Sequence, residues 1–262
     1  MRHPKSILIT GASSGIGRAL AMTYAARDVH LTLIGRDLTR LDAVAKACEA
    51  KGAAVRSATI DVTDCDFMAD WLVTVDRMTP IDLIVANAGV SGGTAGLEGA
   101  ESEDQVRRIF AVNLDGVLNT IGPLLPRMAK RGRGQVALMS SLGAFKAFPG
   151  APAYCASKVA VRFYGEALRG VLKPSGIEVS VICPGYVRSP MTDKNTFKMP
   201  FLMDTDKASR LIKHRLAKGR GRIAFPFPAY FAAWLLGWLP NWITDRFVER
   251  APRKAPLGRW SG

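Results

Sequence analysis

Short apolar runs alternate along this chain with longer segments whose apolar residues recur every three or four positions. Runs rich in Ile, Leu and Val at 6–10, 31–34, 55–61, 81–86, 135–140, 177–182 and 221–225 predict strands. The segments 16–27, 38–50, 66–78, 104–130, 153–172 and 206–217 carry helical spacing, and Pro174 stops the fifth of them. Strand and helix therefore take turns almost throughout. Repeated strand–helix units give a parallel sheet, because a parallel neighbour needs a crossover long enough to be a helix. The predicted fold is α/β: a single Rossmann-type, doubly wound parallel sheet of about seven strands with helices on both faces. Ligands of such a sheet bind beyond the carboxyl ends of the strands.

Composition narrows the field less than the pattern does. At 262 residues, with 48% hydrophobic and 22% charged residues, the chain can bury a full globular core. The net charge of +14 asks for an anionic partner. The basic residues are scattered and do not alternate with aromatics in one stripe, which argues against nucleic acid. An anionic cofactor, an anionic substrate and an anionic membrane surface fit equally well, and so does a basic surface with no specific partner. Cys48, Cys65, Cys155 and Cys183 lie far apart without a CxxC pair, as expected of reduced structural thiols in a cytoplasmic protein, and no metal site is expected. Residues 1–5 lead straight into the first run without a leader-type segment, which fits the same compartment.

The densest chemistry lies at strand ends. Thr10-Gly11-Ala12-Ser13-Ser14-Gly15-Ile16-Gly17 follows Ile7-Leu8-Ile9 and opens the first helix. Glycines in such a turn let backbone N–H groups approach a pyrophosphate, with the positive end of the helix dipole aimed at it. Asp61-Val62 ends the third run, and Asn87-Ala88-Gly89 follows the fourth. Asn113 and Ser141 come next, then Tyr154-Cys155-Ala156-Ser157-Lys158, then Pro184-Gly185 with Val187 and Ser189. In this order and spacing the chain resembles the short-chain dehydrogenase/reductase family up to about Phe225. The resemblance implies a nicotinamide-dependent oxidoreductase. Its dinucleotide would lie on Gly11, Ser13, Ser14, Gly15, Ile16 and Gly17. Asp61 and Val62 would meet the adenine. Asn87, Ala88, Gly89, Tyr154, Lys158, Pro184, Gly185, Val187 and Ser189 would surround the ribose and nicotinamide. It also implies a catalytic set of Asn113, Ser141, Tyr154 and Lys158. Ser141 would bind the substrate oxygen and Asn113 the water through which Lys158 exchanges its proton. Ser140 is a near rival, but the family's spacing to the tyrosine selects Ser141. A homodimer or homotetramer built on the helices 104–130 and 153–172 is implied as well.

Elementary chemistry supports the Tyr154–Lys158 pair independently, since residues four apart share one helix face. A free phenol, with a pKa of ~10, is a poor acid–base group near neutrality. An ammonium about 4 Å away would stabilise the phenolate by ~4 kcal/mol at an effective dielectric near 20, roughly three pKa units.

The second run ends Leu33-Ile34-Gly35-Arg36. An acidic residue there would suit the ribose 2′-hydroxyl of NAD, whereas an arginine suits a 2′-phosphate. Arg36 therefore points to NADP rather than NAD, and Asp37 is expected to cap the next helix.

Residues 1–225 thus form the expected dinucleotide-binding and catalytic domain, and 226–262 a C-terminal extension. No charge occurs between Ile223 and Thr244, and the stretch is rich in Phe, Trp and Tyr. Pro226, Pro228 and Pro240 bracket about eleven helical residues, roughly 16 Å at ~1.5 Å per residue, about half of a bilayer core. The extension is too short to span. It is expected to cover the substrate cleft, pack against a partner subunit, or lie in a membrane surface with Arg246, Arg250, Arg253, Lys254 and Arg259 toward headgroups. The expected activity is NADPH-dependent hydride transfer between nicotinamide and a carbonyl or secondary alcohol, with a lipophilic small-molecule substrate. A 3-oxoacyl-thioester reductase of lipid synthesis and a non-catalytic dinucleotide sensor or scaffold are the alternatives.

Overall fold

The computed structural model describes residues 3–95, 100–249 and 252–258. Seven parallel strands form one sheet in the order β3-β2-β1-β4-β5-β6-β7. They are β1 (Ser6–Thr10), β2 (His30–Gly35), β3 (Ala54–Thr59), β4 (Leu83–Ala86), β5 (Gly134–Met139), β6 (Ile177–Pro184) and β7 (Arg222–Phe225). The strand order reverses between β1 and β4. That leaves a crevice at their carboxyl ends, where the first glycine-rich turn and the segment after β4 meet.

Both faces of the sheet are covered, which is why the central strands read as continuous apolar runs. Ile7, Ile9, Leu31, Leu33, Val85 and Ile182 pack into one layer with α1 (Gly15–Tyr24), α2 (Leu38–Glu49) and α8 (Thr205–Ala217). Leu8, Ile34, Ile84, Val136 and Leu138 pack into the other with α3 (Cys65–Met78), α5 (Gly116–Ile121) and α7 (Pro152–Leu172). Burial of these side chains, at ~1.5–3 kcal/mol each, dominates the stability of the sheet. Asp37 caps α2 by accepting from Arg40 N at 2.9 Å, and Asp64 caps α3 by accepting from Phe67 N at 3.1 Å.

The helix expected over 104–130 is not uniform. It runs as α4 (Glu103–Phe110), a π-helical turn (Ala111–Asp115), α5, and α6 (Leu125–Arg131). Pro123 and Pro126 explain the break between α5 and α6, since a proline lacks the N–H a helix interior needs. Among the described residues only Glu103–Arg131 is long and apolar enough to cross a membrane. Its apolar positions Val112, Val117, Ile121, Leu124 and Met128 are instead buried in the second layer.

Beyond β7 the chain forms α9 (Phe227–Trp238) and α10 (Asn241–Val248). Helix α9 begins before Pro228, because a proline in the first turn sacrifices no helical hydrogen bond. Its inner side packs on the body through Ala229, Tyr230 and Ala233 against Leu142, Phe145 and Cys183. Arg250 and Arg259 of the expected basic end lie outside the described residues, as does the side chain of Arg246.

Candidate active site

The turn after β1 is interlocked with the segment after β4. Thr10 Oγ1 accepts from Asn87 N and Ala88 N, both at 3.1 Å, while Asn87 Nδ2 donates to Thr10 O at 2.9 Å. Gly11 has φ +66°, and a Cβ there would meet Ala88 Cα at 2.9 Å. A Cβ at Gly17 would fall 2.2 Å from Gly11 O, so α1 can cross the turn only as glycine. Ser14 occupies the N-cap of α1, yet its hydroxyl makes no capping bond. The first-turn N–H groups of α1 are thus left for an anion at the wall of a cleft of ≈ 1360 Å³. That donor set fits a dinucleotide pyrophosphate.

Gly11, Ser13, Ser14, Gly15, Ile16, Arg36, Asp61, Val62, Asn87, Ala88, Gly89, Pro184, Gly185, Val187 and Ser189 all line this one cleft, together with Ser141, Tyr154 and Lys158. Gly17 and Asn113 stand behind the lining. At the end beyond β2, a Cβ on Gly35 would press on Ser13 at 3.2 Å, which favours glycine where an acidic residue was sought. Arg36 reaches Asp61 at 3.7 Å, and Arg40, tied to Asp37 at 2.8 Å, adds a second guanidinium to the same wall. Asp37 is spent on its cap, as its position predicts.

The two neighbouring serines part ways. Ser140 Oγ is buried and donates to Lys158 O at 2.7 Å, pinning α7 to β5. Ser141 faces the cleft, accepts from Gly143 N at 3.1 Å and hydrogen-bonds Tyr154. Asn113 sits in the π-helical turn, a local widening common at functional sites. Its Oδ1 accepts from Val90 N at 2.8 Å, and its Nδ2 donates to Val90 O and Ser157 Oγ, each at 3.0 Å. That side chain is fully engaged in holding the segment after Gly89.

Lys158 differs from the simple expectation. Its Nζ lies 5.9 Å from the centre of the Tyr154 ring and donates to Met139 O at 2.9 Å. Burial governs both groups. It pushes the Tyr154 phenol up to about 12, against the opposing pull of Ser141, and the Lys158 ammonium down to about 8. Tyr154 is accordingly a proton carrier at neutral pH rather than a ready base.

Arg40, Leu142 and Lys254 are among the lining residues that lie outside the motifs read from the sequence. Arg40 carried a readable signal, one helical turn after Arg36. Lys254 had none, because only the return of the chain's end brings it to Tyr154.

Comparison with known proteins identifies the family. A short chain dehydrogenase family model matches residues 5–199. An uncharacterized oxidoreductase of Myxococcus xanthus is 38% identical over 224 residues, covering 85% of this chain and 88% of its own. One of Staphylococcus saprophyticus is 34% identical over 190 residues, covering 72% and 80%. Among solved structures, a short-chain dehydrogenase from Sphingobium yanoikuyae in complex with NADPH shares the fold, with TM-score 0.78, 24% identity and coverage of 97% and 99%. A 3-oxoacyl-[acyl-carrier protein] reductase from Brucella melitensis with bound NAD has TM-score 0.73 and 25% identity, covering 84% of this chain and 88% of its own. The chain belongs to the short-chain dehydrogenase/reductase family and is a nicotinamide-dependent oxidoreductase.

Proposed function

We propose that the protein is an NADPH-dependent reductase of a lipophilic carbonyl compound, with Asn113, Ser141, Tyr154 and Lys158 as its catalytic set. The observation that carries this reading is the convergence of Ser141, Tyr154 and Lys158 on the cleft that the uncapped end of α1 enters. A nicotinamide held along residues 87–89 and 184–189 would supply the hydride for the carbonyl carbon, and the product alcohol would need a proton at oxygen. Tyr154, protonated at neutral pH, gives that proton to the oxygen as it becomes negative. Ser141 holds the carbonyl oxygen against the Tyr154 hydroxyl. Lys158 carries positive charge behind the tyrosine and restores its proton, drawing one inward from solvent by a water on the main chain of Asn113. Arg36 and Arg40 favour NADP, because two guanidinium groups in one wall of the cleft suit a 2′-phosphate.

The substrate class follows from the cleft's outer wall, where Leu142, Phe148, Phe197, Ala233 and Leu236 are apolar. Residues 226–262 act as an extension of the 1–225 catalytic unit, with α9 as a lid over this wall. The outer side of α9 carries Phe227, Phe231, Trp234, Leu235 and Trp238, all exposed and at helical spacing. Phe227, Phe231, Trp234 and Trp238 form a ladder of rings 6.1 Å apart. Such a face suits peripheral contact with a membrane that also delivers the substrate. At 12 residues, ~18 Å, α9 cannot span a bilayer. Helix α7 leaves Phe163, Tyr164 and Val171 exposed, a surface suited to pairing subunits.

The test is turnover of a carbonyl panel, from short ketones to long-chain aldehydes and 3-oxoacyl thioesters, with NADPH and with NADH. Reduction of long apolar members with NADPH is expected. A preference for thioesters would favour the 3-oxoacyl reductase alternative, and no turnover across the panel would reject the reading.

A further inference from the structure

Residues 252–258 return across the mouth of the cleft as an extended strap. Ala95 N donates to Lys254 O at 2.8 Å, and Lys254 N donates to Gly150 O at 3.2 Å. Farther along, Leu257 N donates to Gln105 Oε1 at 2.6 Å, and Arg108 Nη1 donates to Gly258 O at 3.1 Å. Two glycines make room for it. A Cβ on Gly93 would lie 2.6 Å from Lys254 Cβ, and one on Gly150 would lie 2.4 Å from Pro252 O. The strap is thus fitted to the body rather than draped over it.

Its one side chain that reaches the reacting groups is Lys254. The Nζ stands 4.3 Å from the centre of the Tyr154 ring and donates to Ser91 Oγ at 2.9 Å. Among the described residues it has no carboxylate partner. Burial pushes its pKa below the ordinary lysine value. The face of an aromatic ring and one hydroxyl compensate a half-buried ammonium only in part. The carboxylates in the cleft lining, Asp37 and Asp61, belong to the wall beyond β2 and β3 and are engaged with Arg40 and Arg36. A ligand bearing its own negative charge would supply what the site lacks.

We propose that Lys254 is a substrate-recognising residue: it takes a carboxylate on the carbonyl substrate, whose apolar chain lies along Leu142 and α9. The preferred substrate class is then an oxo acid with an apolar chain, the carboxylate close enough to the carbonyl for Lys254 and Tyr154 to hold both. This deepens the reductase reading and rests on it for placing the carbonyl at Tyr154.

The test is calorimetric titration of decanoate and of decanol into the protein, with and without saturating NADPH. The wild type should bind decanoate. Lys254→Met should weaken that binding at least tenfold, and Lys254→Arg should keep it within about threefold. Decanol binding should be alike in all three. NADPH affinity, measured on the same proteins, reports separately on the nucleotide site and on folding. Decanoate binding that is absent in the wild type or unchanged in Lys254→Met overturns the inference. A wild type that binds decanoate through Lys254 but never binds NADPH would overturn the reductase reading alone.

Discussion

Replacing Arg36 by alanine separates the two nicotinamide cofactors. Its guanidinium is 45% exposed, and its partner Asp61 is 3.7 Å away, too long for a strong ion pair. A charge-assisted hydrogen bond to a 2′-phosphate is worth ~1.5–3 kcal/mol, a ten- to hundredfold change in Kd. Half exposure places the effect toward the lower half of that range. Two structural features act on what remains. The freed Asp61 carboxylate repels the phosphate, which enlarges the loss. Arg40, anchored to Asp37 at 2.8 Å, stays in the wall and limits it. Fluorescence titration at fixed ionic strength should show NADPH binding weakened about ten- to thirtyfold in Arg36→Ala, with NADH hardly changed. Adding Arg40→Ala should bring NADPH down to the NADH level. Equal losses for both cofactors, or none for either, would refute the reasoning and turn attention to Asp37.

Because burial holds Lys158 near 8, its ammonium is present below that pH and is lost above it. The rate of carbonyl reduction should be level below pH 8 and decline above it, and a profile flat into the region of free lysine would contradict the role given to Lys158. If α9 rests on a membrane, the protein should co-sediment with vesicles rich in phosphatidylglycerol. Raising salt toward 1 M, where the Debye length is about 3 Å, should release part of it. Phe231→Ser with Trp234→Ser should weaken binding at least tenfold, since each buried aromatic contributes ~1.5–3 kcal/mol. Vesicle binding that ignores both salt and these substitutions would assign α9 to subunit packing. Sedimentation should find a dimer or tetramer that Tyr164→Glu with Val171→Glu converts toward monomer, and a wild-type monomer at micromolar concentration would remove the proposed α7 interface.

The sheet was legible because its strands are short, apolar and separated by helices of ordinary length, so a parallel sheet with its site at the carboxyl ends follows from connection rules. The glycine turn was legible for a related reason: Gly11 and Gly17 answer close approaches that admit no side chain, and such demands leave a local mark. What the sequence hid was non-local. The spacing of residues 104–130 remains helical even where a π turn carries Asn113 and prolines divide α5 from α6. Asn113 could be picked out, but the engagement of its side chain with Val90 and Ser157 could not. The acid–base balance of Tyr154 and Lys158 is not legible locally, because burial, which depends on the whole fold, outweighs the charge of a neighbour four residues away. The strap was invisible for the same reason, since nothing near Lys254 announces that it ends beside Tyr154.

The most direct test of the central claim follows deuterium from labelled NADPH into the alcohol formed from a confirmed oxo substrate, in the wild type and in Tyr154→Phe. The wild type should place deuterium on the carbinol carbon. Tyr154→Phe should bind NADPH within about threefold of the wild type and form less than about one-hundredth of the labelled product, since a positioned general acid contributes typically ~10²–10⁴-fold. Near-normal labelled product from Tyr154→Phe, or none from the wild type, would contradict the account.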